Sequence, residues 1–426
     1  MGFINKKLLK SLSIYTFANI LNASIPFFLL PILTNTLTPA DYGLISIFQL
    51  ILSFSIPFTG LNVEGAVSRE YFNEDKYKVN FSHYVSNAVL IVIAVSIVVL
   101  GLVVLSGEYI QQLTDFPAPW LWVVIVCAFS NNISEILLAV WQVKYKSIQY
   151  SIFKIVKTLV ELGLSVFLIL CINKSWESRV NGQLIASVLF VLVAFFFLYR
   201  EKLLKFSVSK KNTIDILKFG IPLIPHVTGA VIITMVDRLY IAKMIGVSEA
   251  GLYAVGFQVA QIISLFQNSF NVAWVPWFYG KLNEKSEETN LKIVKFTYLY
   301  FGLMIGISLL LSVASPLIFQ LFIGPKYAKA IDFVFWISLG FAFNGMYKMV
   351  VNYFFYIKQT YWVSVITFLT AGINLVLIFY LIKMNGAIGA AQSTAIAFFI
   401  QFILVWALCS KKYKMPWLYF LKMKKN

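Results

Sequence analysis

Residues 11–44 read SLSIYTFANILNASIPFFLLPILTNTLTPADYGL, and they decide the class of fold. The run from 12 to 34 is uncharged and mostly apolar. At about 1.5 Å per helical residue it is long enough to cross the roughly 30 Å of bilayer hydrocarbon. It holds two prolines, Pro26 and Pro31, and no small-residue cleavage site precedes the next loop, so it reads as a retained first span rather than a secretion leader. The same reading applied outward finds runs of span length near 42–63, 84–106, 118–141, 149–172 and 180–199, then near 216–240, 250–273, 294–315, 331–355, 361–383 and 386–409. Twelve membrane helices are expected.

Composition agrees. Of 426 residues, 60% are hydrophobic and 12% charged, against roughly 25% charged in a soluble domain. So few charges cannot make a water-soluble shell, so lipid is the solvent for most of the surface. The net charge of +17 does not point to nucleic acid: the basic residues fall in short clusters between apolar runs, as in loops held against anionic lipid. Lysine outnumbers arginine 31 to 4, which leaves little of the bidentate chemistry that phosphate and base readers use. With a cytoplasmic N-terminus, 28 of the 35 basic residues fall on the inner side. That positive-inside bias places both termini in the cytoplasm of a bacterial-type inner membrane. The last stretch, 411–426, carries lysines with Trp417, Tyr419 and Phe420 and is expected to lie on the inner leaflet.

The chain repeats itself. Leu37-Thr-Pro-Ala-Asp-Tyr-Gly-Leu44 is echoed by Ile245-Gly-Val-Ser-Glu-Ala-Gly-Leu252, with Gly43-Leu44 on Gly251-Leu252 at an offset of 208. Each follows a proline-interrupted span, with Pro26 and Pro31 in one and Pro222 and Pro225 in the other. A second echo joins Asn132…Lys146 to Asn344…Lys358. Six spans per copy is an even number, so the halves are parallel. The expected fold is therefore all-α, with lobes at 1–205 and 206–410 around a central cavity and a basic tail at 411–426.

Several chemistries are excluded. There is no GxxxxGK[ST] stretch and no loop able to hold a nucleotide-binding domain, so ATP hydrolysis on this chain is not expected. Two histidines, His83 and His226, support neither a zinc set nor a nucleophile–base pair. Cys127, Cys171 and Cys409 are widely separated and read as buried small hydrophobes. The sequence argues for transport and against an enzyme, with no cofactor and no metal.

The informative residues are charges inside spans, each costing roughly 2.5–3.5 kcal/mol at a span centre. Lys154, Lys157 and Glu161 recur at spacings of three and four, which puts them on one helical face about 8, 12 and 18 Å from the inner end. Glu135 lies about 9 Å in and could pair with either lysine. Lys154 and Lys157 either snorkel to the inner headgroups or line a cavity, and the same two readings stay open for Lys348. His226 follows the break Pro222-Leu-Ile-Pro225 and is either proton-responsive or a neutral group satisfying the freed backbone. Asp237 and Arg238 are either a structural lock or a polar outer gate. If these groups share one cavity its inner half is cationic, with Arg69 and Lys218 at the mouth, and would suit a phosphate or pyrophosphate.

The proline-bearing first span with LTPADYG resembles polysaccharide flippases of the Wzx type, within the multidrug/oligosaccharidyl-lipid/polysaccharide exporter superfamily. So do Val67–Glu70 (VSRE), Gln142–Ser165 (QVKYKSIQYSIFKIVKTLVELGLS) and GIPLIPHVTG with VDRLYIAKMIG in the second half. The resemblance implies flipping of undecaprenyl-pyrophosphate-linked oligosaccharide from the inner to the outer leaflet by alternating access. It implies membrane lipids, a polysaccharide polymerase and chain-length proteins as partners, no nucleic acid, and leaves coupling to H+ or Na+ open. By the same resemblance Arg69 matches an arginine near the end of span two, and Asp237-Arg238 the charged pair ending span seven. Relatives that flip peptidoglycan precursor use arginines in span one, and this span has none. A cation-coupled drug antiporter of the same superfamily is the alternative. It would need membrane carboxylates, and Glu135 and Glu161 are accompanied by lysines.

Overall fold

A computed structural model describes residues 6–71, 81–205, 208–284, 286–357 and 359–418. These residues are mostly helical, with no strand among them. The long helices are α1 (Lys6–Thr36), α2 (Pro39–Gly60), α4 (Phe81–Leu105), α6 (Leu121–Val143), α7 (Ser147–Cys171) and α8 (Trp176–Arg200), with short α3 (Val63–Tyr71) and α5 (Gly107–Thr114) between them. There follow α9 (Lys210–Gly220), α10 (Ile224–Met244), α11 (Val247–Ala260), α12 (Ile262–Leu282), α13 (Glu287–Phe322), α14 (Ile331–Tyr356), α15 (Thr360–Asn385) and α16 (Ala387–Lys412). Ten segments are long and apolar enough to cross a membrane, and α9 with α10, bent by 40°, make an eleventh. The remaining helix of span length is α7. Every 18-residue stretch of its 25 residues contains Lys154, Lys157 and Glu161, so its charge alone sets it apart.

The chain forms two compact units, Met1–Gly251 and Leu252–Asn426. In the first, α7 packs between α1 and α8, and α6 packs on α2, α4 and α8. The core runs through Val85, Ile133, Leu137, Trp141, Phe153, Phe190 and Leu198. In the second, α14 and α15 pack on α16, and α14 also meets α12 and α13.

The LTPADYG turn has a local cause. Thr38 caps α2 by accepting from the Asp41 amide, and Asp41 Oδ2 accepts from the Thr38 amide, with Pro39 in the first turn where its missing donor costs nothing. Asp41 Oδ1 also accepts from the Trp176 backbone at 3.1 Å, tying α2 to the start of α8.

The prolines behave differently from one another. α1 runs unbroken through Pro26 and Pro31, although the sequence suggests a break. Each proline removes one hydrogen bond. The two lie five residues apart in a 31-residue helix packed along α7, so the neighbouring turns hold. Pro222 and Pro225 lie three apart, and here the helix does break: α9 ends at Gly220, Ile221–Leu223 form a 3₁₀ turn, and α10 begins at Ile224. Gly220 packs on the Leu61 carbonyl where a Cβ would overlap it, which fixes the break against the α2–α3 turn.

One further expectation is refined and one changes. In the tail expected at the inner leaflet, Trp417 is tucked against the helices rather than splayed: it is buried, accepts from the Tyr298 hydroxyl at 2.8 Å through its carbonyl, and packs on Trp406 and Tyr353. The aromatic cluster that receives it is built by α13, α14 and α16. Tyr419 and Phe420 lie outside the described residues, as do Lys76, Lys78, Lys285 and Lys358. Cys171, unlike Cys127 and Cys409, is exposed.

Candidate functional site

In the first unit the charges set within a helix of span length centre on α7. Lys154 Nζ donates to Asn19 Oδ1 of α1 at 3.0 Å and lies over the Tyr150 ring at 5.6 Å. Lys157, one turn deeper and partly buried, has no ion pair or hydrogen bond among the described residues; the charges acting on it are Glu161, then Glu135 and Lys154. Glu135 on α6 is likewise partly buried and bonded to neither lysine. Burial pushes up the carboxyl of Glu64 on α3, and Glu135 adds to that effect.

Glu161 is held by a residue of the next helix. Arg179, in the first turn of α8 and buried, donates to Glu161 Oε1 at 3.2 Å and to Ser165 Oγ at 2.8 Å. The three expected groups of α7 thus share a helix but have different surroundings. Lys154 meets neutral partners, Lys157 meets carboxylates only at a distance, and Glu161 is neutralised.

Near the start of α2, Tyr42 is buried under the field of both Arg179 and Arg238. Arg238 also donates to the Thr234 carbonyl at 3.1 Å, and Asp237 beside it is fully buried. The pair is therefore built into the packing of α10 on α2. The side chain of His226 lies outside the described residues.

Three ion pairs, on two carboxylates, bind the other ends of the helices. Arg69 on α3 pairs with Asp215 on α9, which also accepts from the Tyr84 hydroxyl at 2.7 Å, while the guanidinium lies 4.9 Å from the Phe219 ring centre. Glu201, just past α8, accepts from Lys144 at 2.8 Å, Lys146 at 2.6 Å and the Trp141 indole at 2.8 Å. Burial pushes its carboxyl up, but the bonds from both lysines and the indole outweigh burial and hold it below the usual range.

In the second unit Lys348 is one rung of a polar ladder between α12 and α14. Gln267 donates to Asn344 at 3.2 Å, Lys348 donates to Asn268, and Asn352 donates to Asn271 at 3.2 Å. Beyond them the Tyr356 hydroxyl donates to Asn283 at 2.7 Å. Charge-based reading misses the neutral members. The signal was there all the same, since Asn344, Lys348 and Asn352 recur every fourth residue in an apolar run. Arg179 and Asp215 were missed because each sits at a span edge.

With this geometry described, comparison with known proteins places the chain. Residues 8–280 match the family described as polysaccharide biosynthesis protein, and the chain belongs to it. It is 28% identical over 379 residues to an uncharacterized membrane protein of Haemophilus influenzae, covering 86% of this chain and 89% of that one. It is 26% identical over 357 residues to Lsg locus putative protein 1 of the same organism, covering 82% and 85%. Among solved structures, the fold is that of an inward-facing multidrug resistance MATE family transporter of the MOP superfamily (TM-score 0.75, 12% identity, 93% and 94% covered). It is equally that of the lipid II flippase MurJ in an inward closed conformation (TM-score 0.71, 17% identity, 96% and 87% covered). The chain is thus a multi-pass membrane protein of a polysaccharide biosynthesis family with the MATE/MurJ fold.

Proposed function

We propose that this member of the polysaccharide biosynthesis protein family flips undecaprenyl-pyrophosphate-linked oligosaccharide repeat units from the inner to the outer leaflet of the cytoplasmic membrane by alternating access. The observation that carries the reading, beside the family, is the state of the α7 lysines. Lys154 and Lys157 sit inside a membrane helix, and neither is ion-paired among the described residues. Two cations without an ion pair suit a diphosphate and repel a cationic drug. The antiporter reading needs free membrane carboxylates, and on α6 to α8 Arg179 already engages Glu161, leaving Glu135 within a helix and Glu177 at the very start of α8. Glu135 is our candidate group for any coupling to H+ or Na+. Both termini are assigned to the cytoplasm, and a polysaccharide polymerase and chain-length proteins are the partners this activity would feed.

Reconstitution tests the reading. Undecaprenyl-pyrophosphate oligosaccharide, loaded into proteoliposomes with the purified chain, is expected to become accessible to an external glycosidase faster than in empty liposomes. Equal rates with and without protein, together with export of a cationic dye, would replace the flippase by the antiporter.

A further inference from the structure

We infer that the α12–α14 ladder is a glycan-reading subsite, made of neutral amides that exchange hydrogen bonds with sugar hydroxyls. The inference rests on the flippase reading and adds the part of the substrate that the α7 lysines do not address.

The first observation is that most of the ladder is more than the fold requires. The two copies of the repeat share one rung. In the first copy Asn132 on α6 donates to Thr59 of α2 at 2.9 Å; in the second Gln267 of α12 donates to Asn344 on α14. Thr59 and Gln267 are related by the offset of 208 that relates Gly43 to Gly251, and Asn132 and Asn344 are themselves the second echo. That rung belongs to the shared architecture. At the same offsets the other ladder residues Asn268, Asn271, Lys348 and Asn352 correspond to Gly60, Val63, Ile136 and Val140. Val63, Ile136 and Val140 are fully buried in the first unit's core. The equivalent helix pair is therefore held by apolar packing in one copy and by polar rungs in the other.

The second observation is exposure. Gln261, Ser264, Asn268 and Asn271 recur at spacings of three, four and three, which aligns them on one face. Gln261 and Asn268 are exposed, and Ser264 and Asn271 are partly buried. Gln267 is fully buried with its Oε1 unbonded among the described residues, so the ladder keeps an unused acceptor. An exposed amide (Asn268) flanked by a half-buried amide and lysine (Asn271, Lys348) on helices of span length cannot face lipid, where each unsatisfied group costs several kcal/mol. They require water or a hydroxyl-rich ligand. Asn and Gln each carry two donors and an acceptor with two lone pairs, which matches the donor–acceptor character of sugar hydroxyls and adds no net charge. Lys348, bonded to Asn268, sets that amide's orientation.

The test compares two lipids on the full chain in detergent: bare undecaprenyl pyrophosphate, and the same lipid carrying the oligosaccharide that accumulates in cells lacking this protein. Ligand-induced thermal stabilisation gives the apparent Kd. Wild type is expected to bind the glycosylated lipid more tightly. Asn268→Leu and Asn271→Leu should each weaken only that binding, by about tenfold, and leave the bare lipid unchanged. Asn268→Gln, which keeps the amide, should retain most of the preference. Asn268 is exposed and Asn271 only partly buried, so neither leucine variant opens the core. A preference unchanged in both leucine variants, or both lipids weakened alike, overturns the subsite. Wild type binding the two lipids equally overturns it and leaves the flippase reading standing. Wild type binding neither overturns the flippase reading and the subsite with it.

Discussion

Gly43 of α2 and Gly251 of α11, equivalent positions of the two repeats, pack against each other. A Cβ on Gly251 would overlap the Pro39 carbonyl and lie 2.8 Å from the Gly43 nitrogen, and one on Gly43 would overlap the Val247 carbonyl. The echo first visible as matching letters is thus a helix-start crossing in which each copy supplies the glycine the other needs.

Alanine at either position should therefore destabilise the protein by overpacking, by about 1–3 kcal/mol. The obstructing atoms are backbone, which cannot swing aside. Gly163→Ala on α7 is the matched control, because nothing lies within 4 Å of its added methyl. Thermal unfolding in detergent, followed by tryptophan fluorescence, should show lower midpoints for Gly43→Ala and Gly251→Ala and an unchanged or higher one for Gly163→Ala. Equal midpoints for all three would remove the crossing as a stability determinant.

Glu201 gives a pH prediction with a fixed sign. Its carboxyl is held below the ordinary 4.5 because the bonds from Lys144, Lys146 and Trp141 outweigh burial. A depressed folded-state pKa gives stability that is fully present above the unfolded value and is lost as pH falls through the folded one. The midpoint gap between wild type and Glu201→Gln should stay constant from neutral pH down to about 5, then narrow below 4.5 as the native carboxylate protonates. Its size near neutrality is expected to be about 1–3 kcal/mol. A gap that closes between pH 8 and 6 would show that another group was being read.

How far the sequence reached depends on which force did the placing. Span positions were legible because the bilayer imposes a length. The expected run 331–355 becomes α14 (Ile331–Tyr356), and 149–172 becomes α7 (Ser147–Cys171). The break at Pro222 and Pro225 was legible, whereas one at Pro26 and Pro31 was not to be had, since a proline's effect depends on whether neighbouring turns and helices hold the segment. Side-chain partners were the least legible. The face shared by Lys154, Lys157 and Glu161 follows from spacing, but that Arg179 reaches Glu161 while Lys157 is left alone depends on how α8 packs on α7, which no local pattern encodes.

Lys157→Ala should abolish translocation while leaving insertion and folding normal. The side chain makes no hydrogen bond or ion pair among the described residues, so its removal leaves no partner stranded. Membrane abundance and melting midpoint should match wild type, and surface glycan should fall to the level of cells lacking the protein. Retained surface glycan would assign Lys157 to snorkelling instead. Lys157→Arg keeps the charge and should keep part of the activity.

Glu161 and Arg179 separate a structural pair from a transport residue. Their side chains are 22% and 10% exposed, so removing one partner strands the other's charge, at a cost of about 3–5 kcal/mol, while replacing both with apolar residues is often near neutral. Glu161→Leu should therefore lower the melting midpoint and membrane yield sharply, and Glu161→Leu with Arg179→Leu should recover most of the loss. A double variant no more stable than the single would show that the pair does not account for the burial of either group. Where stability recovers, surface glycan decides the role. Recovered glycan makes the pair a clamp between α7 and α8. A stable but inactive double variant puts Glu161 on the substrate path beside Lys157, because the packing is then intact and only the embedded charge is gone.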